Sequence, residues 1–459
     1  DGHDTENHNL GIGNHALGGS VAGGEYNVAI GNNTLDALTS GDNNIAIGYT
    51  AGSAVTTGIR NVLIGHEAGL TLTTGGSNVA VGHEALKNED GNGGNTAIGT
   101  QTLFSQDAGA DAYNVAVGFQ AGVSITTGVR TIAIGGLAAD GYDTENDNLA
   151  IGHAALGGAV AGGEYNVAIG NYSLDALTSA DFCTAIGYDA GSAVTTGGYN
   201  TLIGHQSGDA ITSGNTNTAV GHGSLGTNTV GDRNTAVGSG ALGTFNPDSN
   251  TDDNNTAVGY GALNQLTTGV HNIAIGGTAM GGDPGPTTEN HNLAMGVNSM
   301  GGNIAGGEYN VAIGNYTGQS LTSGDNNVFV GYSAGVNTTS GGNATCVGFE
   351  AGKENTANEL TAFGSKAATN NTSGGGITAI GREAYNNADT ESHNTAIGLN
   401  ALGGAVAGGE YNVAVGNYTL DALTSGDENT VMGYEAGSAV TTGNQNVFIG
   451  RYSGRVATT

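Results

Sequence analysis

A five-residue phrase, Asn-x-Ala-Ile/Val-Gly, recurs at a nearly constant spacing from one end of the chain to the other. The phrase occurs 26 times, counted by its closing glycine, and 17 of the 25 intervals between those glycines are seventeen residues long. A short fixed period is typical of repeat proteins, in which a unit is too small to fold alone and is stabilised by stacking on its neighbours. The repeat therefore predicts one solenoid in place of several globular domains.

Each repeat, numbered from its asparagine, has the pattern of one flat coil. In the copy Asn44–Arg60, the β-branched second and fourth residues share one face of an extended segment, and the alanine between them points the other way. The glycine at the fifth position allows a corner, and the later segment Val55–Gly58 predicts a second short strand that ends at another glycine. The glycines that recur in every repeat argue against an amphipathic helix. We therefore predict an all-β fold, a parallel β-solenoid of about 26 coils of ~17 residues, forming an elongated rod on the order of 120 Å long.

The sequence leaves open which face of the strand points inward. If the third-position alanine fills the interior, the Val/Ile face lies outside and needs a partner, which association of chains would supply. If the Val/Ile face lies inside, the coil itself buries this apolar surface, and a monomer needs no partner.

A longer period lies on top of the coil. The phrase Gly-Gly-Glu-Tyr-Asn-Val-Ala begins at Gly23, Gly162, Gly306 and Gly408, and an acidic phrase precedes each copy. Whole cassettes are therefore duplicated within a single continuous solenoid over residues 1–459. The predicted cassettes cover about 1–139, 140–284, 285–386 and 387–459.

Composition excludes several classes of function. The chain has 9 basic and 40 acidic residues, a formal net charge of −31, whereas nucleic-acid binding needs clustered Lys and Arg for the phosphates. We therefore predict no nucleic-acid partner. No apolar run long enough for a transmembrane helix occurs, which predicts no membrane span in this segment. No nucleophile elbow, phosphate loop or zinc motif appears either, so we predict that the chain is not an enzyme.

The repeated phrase alternates with glycine-rich turns, and this pattern is similar to that of a known family. Examples are Asn95–Gly99 (Asn-Thr-Ala-Ile-Gly) and Asn234–Gly238 (Asn-Thr-Ala-Val-Gly). The pattern resembles the YadA-like head repeats of trimeric autotransporter adhesins, and similar repeats occur in the tail fibres of bacteriophages. The resemblance implies a left-handed β-roll, a homotrimer, a location outside the cell and a role in cell adhesion. Two features depart from the family. The coils are longer than is usual, and no coiled-coil stalk, neck or anchor pattern occurs in these residues.

The asparagine that opens each coil and the glycine that closes the phrase are predicted to form structural columns along the stack. Stacked amide side chains hydrogen-bond along the axis of a sheet whose strands are in register. The columns include Asn27, Asn44, Asn61, Asn78 and Asn95, and Gly31, Gly48, Gly65, Gly82 and Gly99.

Acidic loops at the cassette boundaries are the candidates for a metal site. Carboxylate oxygens are the ligands that Ca²⁺ prefers, although no Gly-Gly-x-Gly-x-Asp nonapeptide occurs. A solvated acidic loop is the alternative, and no other cofactor is predicted. The candidate ligands are Asp4, Glu6, Asp143, Glu145, Glu289, Asp389 and Glu391.

Histidines follow the closing glycine in adjacent coils at His66 and His83, and again at His205 and His222. Stacking brings each pair about one strand spacing apart, where two imidazoles are candidates for transition-metal ligands. The alternative is an ordinary side-chain ladder, because tyrosine holds the same position in other coils.

Two residue types that recur in register have both a structural and a functional interpretation. The threonine columns of the second half-coil are candidates for an ice-binding hydroxyl array or for an ordinary β surface. Cys183 and Cys346 lie inside the repeated phrase, and we expect both to be buried, unpaired thiols.

We expect an extracellular structural or adhesive fibre, on a cell surface or a virion, that acts by reach and surface attachment. The expected partners are further copies of the chain and a host-surface or matrix ligand that the sequence does not identify. One alternative is a subunit of an extracellular filament stacked end to end. A second alternative is an ice-binding or calcium-dependent surface protein.

Overall fold

The computed structural model of the chain describes residues 8–159, 162–249, 252–282, 288–302 and 306–458. These residues form 26 parallel β-strands of three residues each, stacked as a β-solenoid, and contain no helix. Each strand spans the second to the fourth position of the repeated phrase, so the predicted all-β solenoid is confirmed.

The strands are β1 (Leu10–Ile12), β2 (Val28–Ile30), β3 (Ile45–Ile47), β4 (Val62–Ile64), β5 (Val79–Val81), β6 (Thr96–Ile98), β7 (Val115–Val117), β8 (Ile132–Ile134), β9 (Leu149–Ile151), β10 (Val167–Ile169), β11 (Thr184–Ile186), β12 (Thr201–Ile203), β13 (Thr218–Val220), β14 (Thr235–Val237), β15 (Thr256–Val258), β16 (Ile273–Ile275), β17 (Leu293–Met295), β18 (Val311–Ile313), β19 (Val328–Val330), β20 (Thr345–Val347), β21 (Thr361–Phe363), β22 (Thr378–Ile380), β23 (Thr395–Ile397), β24 (Val413–Val415), β25 (Thr430–Met432) and β26 (Val447–Ile449).

The chain divides into two compact units, Asp1–Asp232 and Arg233–Thr459. The first unit contains β1–β13 and the second contains β14–β26. Within each unit every strand pairs in parallel with the next strand along the chain, and equivalent positions face each other. At a strand spacing of about 4.8 Å, the stacked strands of one unit extend over roughly 58 Å.

The third-position alanine points into the coil, and the Val/Ile positions point out. Ala46 is fully buried, whereas its neighbour Ile45 in the same strand is 38% exposed. The same alternation repeats along both units, because successive side chains of a strand point to opposite faces. The structure thereby settles the question that the sequence left open, in favour of the arrangement that leaves the Val/Ile face uncovered.

Larger residues at the third position are matched by glycine in the adjacent turn. Leu63 takes the place of alanine in β4, and a Cβ on Gly52 or Gly69 would lie 2.6 or 2.8 Å from its methyl groups. Phe329 in β19 has the same relation to two glycines of its own unit. The interior is therefore packed by compensating volumes, as expected for a close-packed core.

The segment predicted as a second strand, Val55–Gly58, is not a strand, and that prediction is wrong. It is a bend in which three successive amides of one coil, from Thr39 to Gly41, donate to a single carbonyl, Thr56 O, at 2.9, 3.2 and 3.3 Å. Convergence on one acceptor requires a tight corner and not an extended ladder, because each carbonyl of a parallel ladder accepts from one amide. Each coil thus has one strand and a series of turns.

Both glycine and ordinary residues form the corners of the coil. The closing glycine Gly118 has φ +137°, a backbone region open only to glycine, and a Cβ there would lie 2.5 Å from Gly135 O in the next coil. Left-handed φ values also occur at Leu35 (47°), Thr50 (53°) and Arg60 (60°), although such values are uncommon outside glycine. The stacked neighbours hold these residues in place through backbone hydrogen bonds, for example Arg60 N to Asp42 O at 2.9 Å.

Candidate functional site

The most extensive surface feature is the outer face, which we define as the second and fourth residues of every strand. In all 26 strands these positions hold Val, Ile, Leu, Thr, Phe or Met and no charged residue, although the chain has 9 basic and 40 acidic residues. Ile132 and Ile134 of β8 are 38% and 37% exposed, and Phe363 and Met432 are 48% and 47% exposed. Contiguous exposed apolar surface of this kind marks an interaction site.

The asparagine that opens each coil forms a buried hydrogen-bonded ladder. Asn44 N donates to Asn27 Oδ1 (2.9 Å), and Asn61 N donates to Asn44 Oδ1 (3.0 Å). Asn44 Nδ2 donates to Asn27 Oδ1 of the preceding coil (3.1 Å) and to Gly58 O near the end of its own repeat (2.8 Å). Buried backbone groups need such partners, so each amide side chain satisfies groups of the coils on both sides and has a structural role.

The acidic cassette loops use their carboxylates to hold backbone amides. Glu145 is 4% exposed, its Oε2 accepts from the amides of Asp143 (2.9 Å) and Thr144 (3.0 Å), and its Oε1 accepts from Gly162 N in the next coil (2.9 Å). Glu391 makes the three equivalent contacts in its own cassette. These carboxylates therefore serve as acceptors for backbone amides and have a structural role.

The remaining acidic candidates are not gathered into a metal site in the described part of the chain. Glu289 Oε1 accepts from Gly306 N (3.0 Å), and Asp4 and Glu6 lie outside the described residues. Among the described residues, no group of three metal-ligating side chains includes any of the candidates Asp143, Glu145, Glu289, Asp389 and Glu391.

The histidine pairs are stacked rings. The ring centroids of His66 and His83 lie 5.1 Å apart, and those of His205 and His222 lie 5.2 Å apart, with the rings nearly parallel. A tyrosine of the preceding coil extends each stack. Parallel rings do not aim their nitrogens at a common point, and neither pair has a third ligand among the described residues. The geometry is that of a side-chain ladder.

The threonine column is tied to the backbone of the stack. Thr39 Oγ1 donates to Thr56 O (3.0 Å), and Thr56 Oγ1 donates to Thr73 O (3.2 Å). These hydroxyl hydrogens are therefore engaged between coils, which gives this column a structural role.

Both cysteines are free and buried. Burial raises the pKa of Cys183 to about 11 and that of Cys346 to about 12, because the thiolate is disfavoured away from water. Cys183 Sγ also donates to Gly197 O (3.3 Å), which replaces one bond of the asparagine ladder.

We expect both thiols to be unreactive in the folded protein. At pH 8, a rise of the Cys183 pKa from 9.0 to about 11 lowers the thiolate fraction about 100-fold, and burial blocks the reagent as well. Labelling with Ellman's reagent is therefore expected to be at least about 100-fold slower in the native state than in guanidinium chloride. Rapid native labelling that survives in Cys346→Ala and disappears in Cys183→Ala would contradict the buried position of Cys183.

One group of metal-ligating side chains was missed by the sequence reasoning. Oxygens of Glu89, Asp90 and Asp107 lie within 4.8 Å of one another. Glu89 is fully buried in a column that holds Leu72 in the preceding coil and Ile125 two coils later. Burial raises the pKa of Glu89 to about 7. Alignment of the coils column by column would have revealed it as a carboxylate in an apolar column.

The described residues contain no helix long and apolar enough to cross a bilayer. Neither a family model nor a curated protein matches the chain.

Proposed function

We propose that the chain is a subunit of an extracellular structural or adhesive fibre, in which several copies associate through their outer faces. The exposure and lack of charge of the outer face support this proposal. Residues such as Ile132 and Ile134 are more than one third exposed, and covering apolar surface of this kind contributes about 25 cal/mol per Å². The fourth position of the repeat is Val, Ile, Met or Phe in every strand of each unit, so the gain accumulates with the number of coils.

A second copy of the same chain is the partner that fits this surface best. Another copy presents strands of the same length and spacing, and symmetric association of identical chains is the usual form of soluble oligomers. A homotrimer is the assembly that the resemblance to adhesin heads implies. The net charge of −31 opposes association, so a medium of physiological or higher salt, which screens repulsion between exposed charges, favours it.

Exposed aromatic columns support a role in attachment. Tyr165, Phe182 and Tyr199 stack in successive coils with ring centroids 5.1 Å apart, and they are 49%, 47% and 62% exposed. Aromatic side chains are enriched where proteins contact other molecules. The column lies at the residue before the opening asparagine, outside the outer face, and therefore stays available for a host-surface or matrix ligand when the outer faces are packed together.

We expect charge on the outer face to dissociate the assembly. In the double variant Ile132→Arg, Ile134→Arg, two guanidinium groups enter an apolar contact, where an unpaired charge costs several kcal/mol. Light scattering after size exclusion in 0.5 M NaCl is expected to give about three times the chain mass for the native protein, and a large shift toward one chain mass for the variant.

The matched control is Thr127→Arg, which places one guanidinium on an exposed corner of the preceding coil, outside the outer face. This variant is expected to keep the native mass. A native particle of one chain mass at all concentrations would overturn the proposal, and a mass that grows without limit would favour an end-to-end filament. Attachment is measured separately, as binding of the labelled protein to cells or matrix-coated surfaces.

A further inference from the structure

Two adjacent coils of the first unit break the repeat at the same two positions. The buried twelfth position holds Leu38, Val55 and Leu72, then Glu89 and Gln106, then Ile125. The thirteenth position holds Thr39, Thr56 and Thr73, then Asp90 and Asp107, then Thr126. In each of these two stacked coils, two polar residues replace an apolar residue and a threonine. Such a local and coordinated change is typical of a functional site within an otherwise consistent sequence.

The buried polar atoms of this cluster have unmet hydrogen-bonding capacity. Glu89 is fully buried, its Oε1 accepts from Asn92 N (2.8 Å), and its Oε2 has no hydrogen-bond partner. Asn92 Nδ2 and Gln106 Nε2 are likewise buried and have no hydrogen-bond partner among the described residues. A native structure rarely leaves several buried polar atoms in one place without a further partner.

No ion pair among the described residues joins this cluster to a Lys or Arg side chain. Glu89, Asp90 and Asp107 bring three carboxyl groups within 4.8 Å of one another, and like charges at this distance repel strongly away from water. The nearest lysine in the sequence, Lys87, is engaged elsewhere, because its Nζ lies 2.6 Å from both Glu67 and Glu84.

We propose that Glu89, Asp90 and Asp107 bind one Ca²⁺ ion between these two coils. The donors are carboxylate oxygens with no nitrogen or sulfur ligand, which favours a hard cation that accepts six to eight oxygens in a flexible arrangement. Asp90 and Asp107 are exposed, so water completes the coordination on the outer side. Asn92 offers its amide oxygen to the same place after a half-turn about the Cβ–Cγ bond, since the two ends of an amide have nearly the same shape.

The competing explanation is a proton shared among the carboxyl groups, which also relieves repulsion between neighbouring carboxylates. The two explanations differ in their response to calcium and to chelators. A bound cation stabilises the folded state in proportion to the logarithm of its concentration, whereas a shared proton makes the protein indifferent to Ca²⁺ and sensitive to pH alone.

The test is a calorimetric titration of the full chain with CaCl₂ at pH 7.5 in 150 mM NaCl, with thermal unfolding in CaCl₂ and in EDTA. We expect one saturable site per chain and a higher melting temperature with Ca²⁺ than with EDTA. Asp107→Thr and Asp90→Thr, which insert the residue of the neighbouring coils, are each expected to weaken binding at least tenfold. Glu89→Leu restores the apolar column and removes the buried carboxylate, and we expect it to abolish the calcium response, with any loss of melting temperature in EDTA arising from the lost acceptor of Asn92 N.

The charge control is Asp36→Asn, which removes an exposed carboxylate of the same unit outside the cluster, and it is expected to bind Ca²⁺ like the native chain. Three outcomes would each overturn the proposal. They are the absence of a saturable site in the native chain, native affinity in both aspartate variants, and a calcium-dependent rise in melting temperature that persists in Glu89→Leu.

Discussion

Alanine at Gly118 is expected to lower the free energy of unfolding of the first unit by about 3–5 kcal/mol, which is at the upper end for a single substitution. The backbone at this residue has φ +137°, and the added Cβ would lie 2.5 Å from Gly135 O. The chain cannot move away at low cost, because Gly118 N donates to Ile98 O (2.9 Å) in the sheet ladder.

Two further alanine substitutions separate the backbone strain from the steric contact that Gly118→Ala introduces. Gly162 has φ +115°, but a Cβ added there would meet no atom within 4 Å, so Gly162→Ala tests the backbone strain alone. Gly136 has no positive φ and an ordinary 3.5 Å neighbour, so Gly136→Ala is expected to change stability by less than about 1 kcal/mol. Denaturant unfolding followed by circular dichroism measures all three, and equal stabilities for Gly118→Ala and Gly136→Ala would contradict the close coil contact.

Removal of one amide from the middle of the asparagine ladder is expected to cost about 2–4 kcal/mol, the sum of two orphaned buried groups. In Asn61→Ala the carbonyl of Gly75 loses its donor (2.9 Å) and Asn78 N loses its acceptor (3.0 Å). Neither group reaches water, since Asn61 and Asn78 are fully buried.

The control for the ladder is Asn32→Ala. Asn32 also bonds a neighbouring coil, with its Oδ1 accepting from Asn14 N of the preceding coil (3.1 Å), but this contact is exposed. Water replaces the lost partner there, so we expect a cost below about 1 kcal/mol. Denaturant midpoints of the two variants at the same pH provide the comparison, and a cost for Asn61→Ala no larger than that for Asn32→Ala would show that the buried ladder is not a major source of stability.

Three successive coils of the second unit lack the asparagine of the ladder. The opening position holds Ala344, Leu360 and Ile377 in three successive coils, and all three are buried. Ala344 N still donates to Asn327 Oδ1 (2.9 Å), at the point where the ladder stops. The ladder is therefore interrupted over three coils of the second unit, which shows that an asparagine is not required at every coil.

The period and the strand could be predicted because they depend on local sequence alone. Each coil repeats the same β-branched triplet at the same spacing, and parallel stacking follows from that. The inward face could not be predicted, because a three-residue strand such as Ile45–Ile47 is apolar on both sides and the alternation rule then gives no direction. The false second strand at Val55–Gly58 arose from threonine's β-propensity, which the converging hydrogen bonds on Thr56 O override.

The candidate sites were harder to predict than the fold. Sequence reasoning selected acidic residues by their density at cassette boundaries, and there Glu145 serves backbone amides. It missed Glu89, whose importance comes from the apolar residues above and below it in the stack and not from its neighbours in the sequence. It also assigned left-handed corners to glycine only, whereas residues such as Leu35 and Arg60 adopt them as well.

These left-handed corners have a consequence for how the protein folds. In the coil that contains Thr50 and Arg60, both residues have left-handed φ values, 53° and 60°, a conformation that an unsupported L-residue disfavours. An isolated turn of the chain therefore has little tendency to form, and the first ordered turn is a rare nucleus. Once it exists, its unpaired amides and carbonyls template the next turn, so growth from the nucleus is fast and sequential.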